Sequence, residues 1–226
     1  MVWVRSDTLS NFRFVVHGFS DRQFNGDLEE TARNFGLSIV FTLTQVHSAD
    51  VIVLKDGFRK EPGKKGDAII TGQKGMGIGV FTADCVPILL VDERASCVAV
   101  VHAGWRGTLY QISQKTLRGM RRHFGTDPSR VHVVLGPSIG KCCFEVGEDV
   151  ASPFMEKFKY NERYLFEKGN SKYTLDLKEI NRLLLLEEGV KNIEVMSICT
   201  KCNKNFHSYR RDGKMVGSQL SIIGLV

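Results

Sequence analysis

Two uninterrupted apolar runs, Val86–Val91 and Val98–Val101, constrain this chain more than anything else in it. A strand with one face in water alternates apolar and polar residues; a run of Val, Ile and Leu without alternation fits a strand covered on both faces. Two such runs close together in sequence ask for a layered arrangement with packing above and below. The residues at their ends are not ones that a core needs. Cys85 follows Asp84 at the start of the first run, His102 ends the second, and Gly104-Trp105-Arg106-Gly107-Thr108 leads into a helical pattern. Upstream, the run Phe41–Val46 ends in His47. One polar residue at a strand end is commonplace. A thiol and two imidazoles, each at the mouth of a strand, read as ligands of a soft or borderline metal.

The rest of the composition narrows the class. A chain of 226 residues suits one domain spanning 1–226, and at that length it needs no disulfide staples. A hydrophobic content of 42% beside 25% charged residues is that of a soluble globular protein, and no stretch approaches the ~20 apolar residues of a membrane helix. The start, Met1-Val-Trp-Val-Arg-Ser-Asp7, lacks a signal-peptide core, so a cytoplasmic location is expected. There the six cysteines are thiols, with Cys97, inside an apolar run, as plain core. The net charge of +6 comes largely from Lys55–Lys65, Arg118–His123 and Lys201–Lys214. No zinc-finger spacing, recognition helix or aromatic RNA motif accompanies it, so a solvated basic face or a phosphate-bearing substrate is expected, not nucleic acid.

Strands are expected at 12–19, 41–46, 51–54, 67–72, 77–82, 131–135, 164–166, 173–175, 193–198 and 216–223, in addition to the two central runs. Helices are expected near 27–36, over 108–124, over 148–158, and over 176–188 with Asp176 as N-cap. Lys55–Gly66 reads as an exposed loop, and Gly136–Gly147 as a glycine-punctuated loop at an active site. Strands and helices interleave without the regular alternation of a doubly wound sheet. The fold class is mixed α/β (α+β) in a single domain.

Cys85 follows His47 by 38 residues and precedes His102 by 17, so these ligands can meet only through tertiary structure. A three-ligand His/Cys/His set leaves zinc a fourth position, as in catalytic sites; copper is the alternative metal. Asp84 and Asp50 are the nearest carboxylates in sequence and the candidates for orienting a ligand or handling protons. A rival cluster is Cys199-x-x-Cys202 with Cys142-Cys143; it ranks lower because adjacent cysteines normally point apart. A Cys85 nucleophile paired with His102 is a further minority reading. The H-x-E and P-C-x-x-C signature of cytidine-type deaminases is absent, and so is a P-loop. Ser208-Tyr-Arg-Arg-Asp-Gly213 is either a salt-bridged surface hairpin or an arginine fork for phosphate.

Gln45-Val-His47, Thr82-Ala-Asp-Cys-Val-Pro87, Val101-His-Ala-Gly-Trp-Arg-Gly-Thr108, Gly136-Pro137 with Phe144-Glu-Val-Gly147, and Ser208–Gly213 together resemble one family across nearly the whole chain. It is the purine nucleoside phosphorylase family formerly called multicopper polyphenol oxidoreductases, the laccase-domain or YfiH-like proteins. The resemblance implies four layers of mixed sheets flanked by helices, similar to the catalytic domain of a cytotoxic necrotizing factor. It implies one zinc on His47, Cys85 and His102. It also implies phosphate-dependent cleavage of adenosine, inosine, guanosine and methylthioadenosine to base and ribose 1-phosphate, with adenosine deamination as a second activity. Gln45, Arg106, Arg210 and Arg22 are then candidates for contacting nucleoside or phosphate, and Asp84 for moving protons. Partners would be small molecules, with no nucleic acid and no membrane, and the chain a monomer or homodimer. Copper-dependent phenol oxidation and hydrolytic editing of cell-wall precursors are the alternatives that the resemblance carries. Cys202 lies outside the family's pattern.

Overall fold

The first apolar run forms strand β7 (Val86–Asp92), paired antiparallel with β8 (Val98–Ala103), and every residue of both is buried. The absence of alternation in sequence has a direct physical counterpart. Val86, Ile88 and Leu90 enter one core with Ile112, Leu117 and Met120, whereas Leu89 and Val91 enter another with Phe19, Ile78 and Ile223. Each such side chain stabilises by about 1.5–3 kcal/mol when fully buried, so this hairpin anchors two cores at once.

These coordinates are a computed structural model that describes residues 2–55, 63–94, 97–213 and 217–226. The central hairpin belongs to a six-stranded sheet in the order β13 (Asn192–Val195), β9 (Val131–Leu135), β7, β8, β5 (Ala68–Thr71), β4 (Val51–Leu54). Its outer pairs are parallel and its inner pairs antiparallel. Against one face lies a five-stranded sheet in the order β1 (Trp3–Val4), β2 (Val15–Ser20), β14 (Gln219–Leu225), β6 (Met76–Thr82), β3 (Ile39–Thr42). Helix α2 (Leu28–Asn34) covers the outer side of that sheet, where Ala32 and Phe35 pack with Leu220 and Ile222. The other face of the six-stranded sheet is covered by α4 (Ile112–Phe124) and α6 (Leu177–Glu187). Helix, sheet, sheet and helices thus stack in four layers. A small antiparallel sheet, β10 (Glu145–Gly147), β12 (Lys172–Leu175), β11 (Leu165–Gly169), and helices α1 (Asp7–Ser10), α3 (Trp105–Leu109), α5 (Glu148–Lys157) and α7 (Tyr209–Asp212) complete the strands and α-helices of the described residues. None of the described helices is long and apolar enough to cross a membrane.

Several boundaries differ from the sequence expectation. The strand expected at 12–19 starts only at Val15, because α1 runs into a turn in which the Val15 amide bonds the Phe12 carbonyl. A short strand, β1, precedes it. The helix expected over 108–124 is two helices: Gln111 takes a left-handed conformation (φ 60°) that ends α3 and re-aims α4 onto the sheet. The segment Ser208–Gly213 is a short helix capped by the Ser208 hydroxyl, not a hairpin. Asp176 caps α6 as expected, accepting from the Glu179 amide. Most of Lys55–Gly66, together with Val216, lies outside the described residues.

Candidate active site

Strand register brings the chemistry together. Val86 opposes Ala103 in the β7–β8 ladder, so the next pair outward is Cys85 and Gly104. A Cβ added at Gly104 would lie 3.1 Å from Cys85 Sγ and 3.3 Å from His47 Cδ2, so a larger residue there would crowd both side chains. Ala68 opposes Val101 in the β5–β8 ladder, which places Asp67 against His102. The Asp67 carboxylate meets His102 Nδ1 at 2.8 Å, and the His102 amide donates to the Asp67 carbonyl at 2.7 Å. Asp67 also gathers the loop that carries His47, accepting from the amides of His47 (3.0 Å) and Ser48 (2.7 Å) and from the Ser48 hydroxyl (2.9 Å). His47 itself sits at φ 57°, a backbone conformation that those contacts hold in place.

One ligand atom from each of His47, Cys85 and His102 lies within 4.8 Å of the others, and the two imidazoles meet edge to face at 4.8 Å between centroids. Because Nδ1 of His102 is engaged by Asp67, Nε2 is the atom it has free to offer a metal, in the usual carboxylate–histidine–metal order. Burial by itself pushes the Cys85 thiol up, yet the charge and hydrogen bonds of His102 and His47 override it and bring the pKa to about 6. Burial lowers the His102 pKa, and Cys85 and Asp67 beside it raise it to about 9. Two imidazoles, a thiol that ionises readily and a second-layer carboxylate fit a borderline divalent metal.

This cluster lines a cavity of about 570 Å³, within the range of small-molecule sites. Arg106 and Arg210 line it, each guanidinium laid on an aromatic ring, Trp105 at 4.3 Å and Phe144 at 5.2 Å. Tyr209 and Phe81 add further aromatic surface. Gln45 lines the cavity too, but its amide is spent on the backbone of Phe81, donating to the carbonyl at 2.8 Å and accepting from the N–H at 2.7 Å. Asp84, at φ 92°, is similarly committed: its carboxylate accepts from the Thr200 hydroxyl at 2.6 Å and the Arg210 amide at 2.7 Å. Arg22 is not among the cavity-lining residues, and its guanidinium donates to the Lys204 carbonyl.

Some functional neighbours escape sequence reasoning. Asp67, fully buried, orients His102, a part the sequence assigned to Asp84 or Asp50; Asp50 is exposed, and its carbonyl accepts from the amide of Asp67. The available signal was an acid heading an otherwise apolar strand. The two arginines of Ser208–Gly213 do not form a fork. Arg211 turns away from the cavity and donates to the carbonyls of Thr200, Lys201 and Phe206, pairing also with Asp212. Finally, Cys142 and Cys143 do not point apart. A tight turn brings both toward Cys199 and Cys202, correcting the low rank given to that cluster.

Comparison with known proteins identifies the family and the fold. The family described as "Multi-copper polyphenol oxidoreductase laccase" matches residues 21–226. A purine nucleoside phosphorylase of Clostridium acetobutylicum is 38% identical over 84% of this chain and 78% of its own length. Adenosine deaminase RL5, from an unknown prokaryotic organism, is 40% identical over 75% of this chain and 68% of its own. YlmD from Geobacillus stearothermophilus superimposes with a TM-score of 0.90 at 28% identity, covering 100% of this chain and 96% of that one. The YfiH protein of Bacillus licheniformis gives 0.90 at 26% identity, over 99% and 96%. The chain therefore belongs to the laccase-domain, YfiH-like family, whose relatives include proteins named purine nucleoside phosphorylase.

Proposed function

We propose that this protein is a zinc-dependent purine nucleoside phosphorylase, converting purine nucleoside and phosphate to free base and ribose 1-phosphate. The observation that carries the reading is the make-up of one cavity, lined by the His47–Cys85–His102 set together with Arg106 and Arg210. In phosphorolysis a phosphate oxygen bonds to the anomeric carbon as the bond to the base breaks, and positive charge builds on the ribose. Two guanidiniums hold the phosphate by charge-assisted hydrogen bonds and fix its line of approach. Stacked on Trp105 and Phe144, they are restrained before substrate arrives. Aromatic faces of Phe81 and Tyr209 give a purine ring a surface to lie on. Asp84 is a positioning residue that ties the Arg210 backbone to Thr200. Zinc held by His47, Cys85 and His102 would supply a Lewis acid or a bound water acidified toward a pKa of ~7.

The test is release of hypoxanthine, adenine and guanine from their nucleosides with and without phosphate. Base release that requires phosphate supports the reading; release at the same rate without it overturns it. Adenosine deamination is a second reading, favoured by the similarity to the relative named adenosine deaminase. It predicts inosine formation from adenosine, lost together with the metal in His102→Ala. Multicopper phenol oxidation calls for several copper centres, and the chain has only six histidines, of which His132 packs on Phe12 and faces Glu93. Oxygen uptake with a phenol is therefore expected to be negligible beside nucleoside turnover; uptake that scales with bound copper and matches it would reverse the ranking.

A further inference from the structure

Cys142, Cys143, Cys199 and Cys202 stand away from the cavity's ligand set, yet their sulfurs all lie within 4.8 Å of one another. The separations from Cys202 are 3.8 Å to Cys142 and 3.3 Å to Cys143. Four thiolates at the ~2.3 Å bond length of zinc span tetrahedron edges of roughly 3.8 Å, so the sulfurs already stand close to the spacing that a tetrathiolate site requires. We infer that these four cysteines form a second, closed metal site for a thiophilic divalent ion of the zinc class, and that it fastens the loop carrying the cavity-lining Ile139 and Phe144 to the Cys199–Cys202 loop, whose Thr200 bonds the cavity-lining Asp84.

The surroundings of the sulfurs support a built site. The Gly140 amide donates to Cys199 Sγ at 3.3 Å, and the Cys202 amide also faces that sulfur, as amides do around the knuckle of a C-x-x-C ligand pair. A Cβ at Gly140 would meet Cys142 Sγ at 3.3 Å and Cys199 Cβ at 3.4 Å, so the backbone is drawn in close against the cluster. The Cys143 and Phe144 amides both bond the Gly140 carbonyl, making the turn that swings the adjacent cysteines to one side. Four thiolates around a divalent ion leave two negative charges. Lys178, buried and donating to the carbonyls of Met196 (2.6 Å) and Ile198 (3.0 Å), places its ammonium where it acts electrostatically on Cys142 and Cys199.

Four protein ligands with no open position make a structural site, not a catalytic one. Its position tells what it would hold. The turn at 140–144 carries Phe144, on which Arg210 stacks, while Thr200, between Cys199 and Cys202, bonds Asp84, which in turn holds the Arg210 amide. An ion there locks both supports of Arg210. The inference stands apart from the proposed reaction, since it concerns different ligands.

The test uses the full-length protein purified under reducing conditions from zinc-supplemented cells. Metal content and free thiols are compared for wild type, Cys142→Ser/Cys202→Ser and His47→Ala/His102→Ala. The expected result is one zinc fewer per chain in the double serine variant than in wild type, with the His variant keeping that ion. Cobalt exchanged into the His variant should give the intense visible bands of a tetrathiolate. A mercurial titration of the folded His47→Ala/His102→Ala protein covers the case in which the serine variant fails to fold: four thiols beyond Cys85 should react as its one zinc is released. Amide exchange in segments 138–144 and 199–203 should quicken about tenfold or more on its release. Equal zinc in wild type and the serine variant, or a wild type isolated with these cysteines joined as disulfides and no metal there, overturns the inference.

Discussion

Asp67→Asn is the perturbation that most directly probes how the site is built. The carboxylate is fully buried and accepts from His102 Nδ1, the His47 and Ser48 amides and the Ser48 hydroxyl. Burial would raise its pKa, but the bonds from His102 and Ser48 and the charge on His102 hold it at about 2. Asparagine keeps the shape and one acceptor oxygen while turning an NH₂ group toward donors. Losing the second-layer carboxylate of a metal-bound histidine weakens metal typically 10–100-fold, about 1.4–2.8 kcal/mol. The metal-free protein should also suffer. Deleting one partner of a buried charged pair costs about 3–5 kcal/mol, and the isosteric change should fall at or below the lower end, about 3 kcal/mol. Affinity is read by competition with a chromophoric chelator, and stability by urea unfolding of the metal-free protein. A folded Asp67→Asn protein whose affinity stays within about twofold of wild type would refute the claim that Asp67 orients His102 for metal.

The two neighbouring arginines should separate cleanly. Arg210→Ala is expected to raise the phosphate requirement for inosine cleavage at least tenfold, about 1.4 kcal/mol, with little change in thermal midpoint; unaltered phosphate dependence in both this variant and Arg106→Ala would leave the phosphate site unassigned. Arg211→Ala should do the reverse, destabilising by about 2 kcal/mol through the four lost carbonyl contacts to Thr200, Lys201, Asn203 and Phe206 while phosphate dependence stays near normal, as a denaturant melt would read. His17, buried and accepting the Ser6 amide, has its pKa lowered from 6.5 to about 4 by burial and by Arg5. The unfolded chain takes up a proton that the folded site refuses, so stability falls as pH drops from 6.5 to about 4 and levels off below that. His17→Gln should flatten that stretch of the pH–stability curve by on the order of 3 kcal/mol; an unchanged slope would show that His17 is not its source.

The central hairpin and its neighbours were legible because hydrophobic patterning is local: Val86–Val91 reports its own burial on both faces in its own residues. The candidate ligands His47, Cys85 and His102, which the fold brings within 4.8 Å of one another, were legible for a related reason, being chemically out of place at the ends of apolar runs. What they would meet there was not. That Asp67 faces His102 follows from the register of β5 on β8, and that Cys85 faces Gly104 follows from the register of β7 on β8. Register is decided by sheets packing on sheets, and no window of sequence contains it. The same holds for the four cysteines, where a turn at Gly140 and a bridge between Ser138 and Cys199 bring together residues some 59 positions apart. Arg210 and Arg211 look identical in sequence and part company only when α7 forms, one side chain turning to the cavity and the other to the carbonyls of its own loop. The chain wrote down which residues are candidates for chemistry and which strands are buried; the packing of loops onto those strands decided which of them touch, because a thiol, a carboxylate or a guanidinium takes its role from the partner that the fold sets within about 3 Å of it.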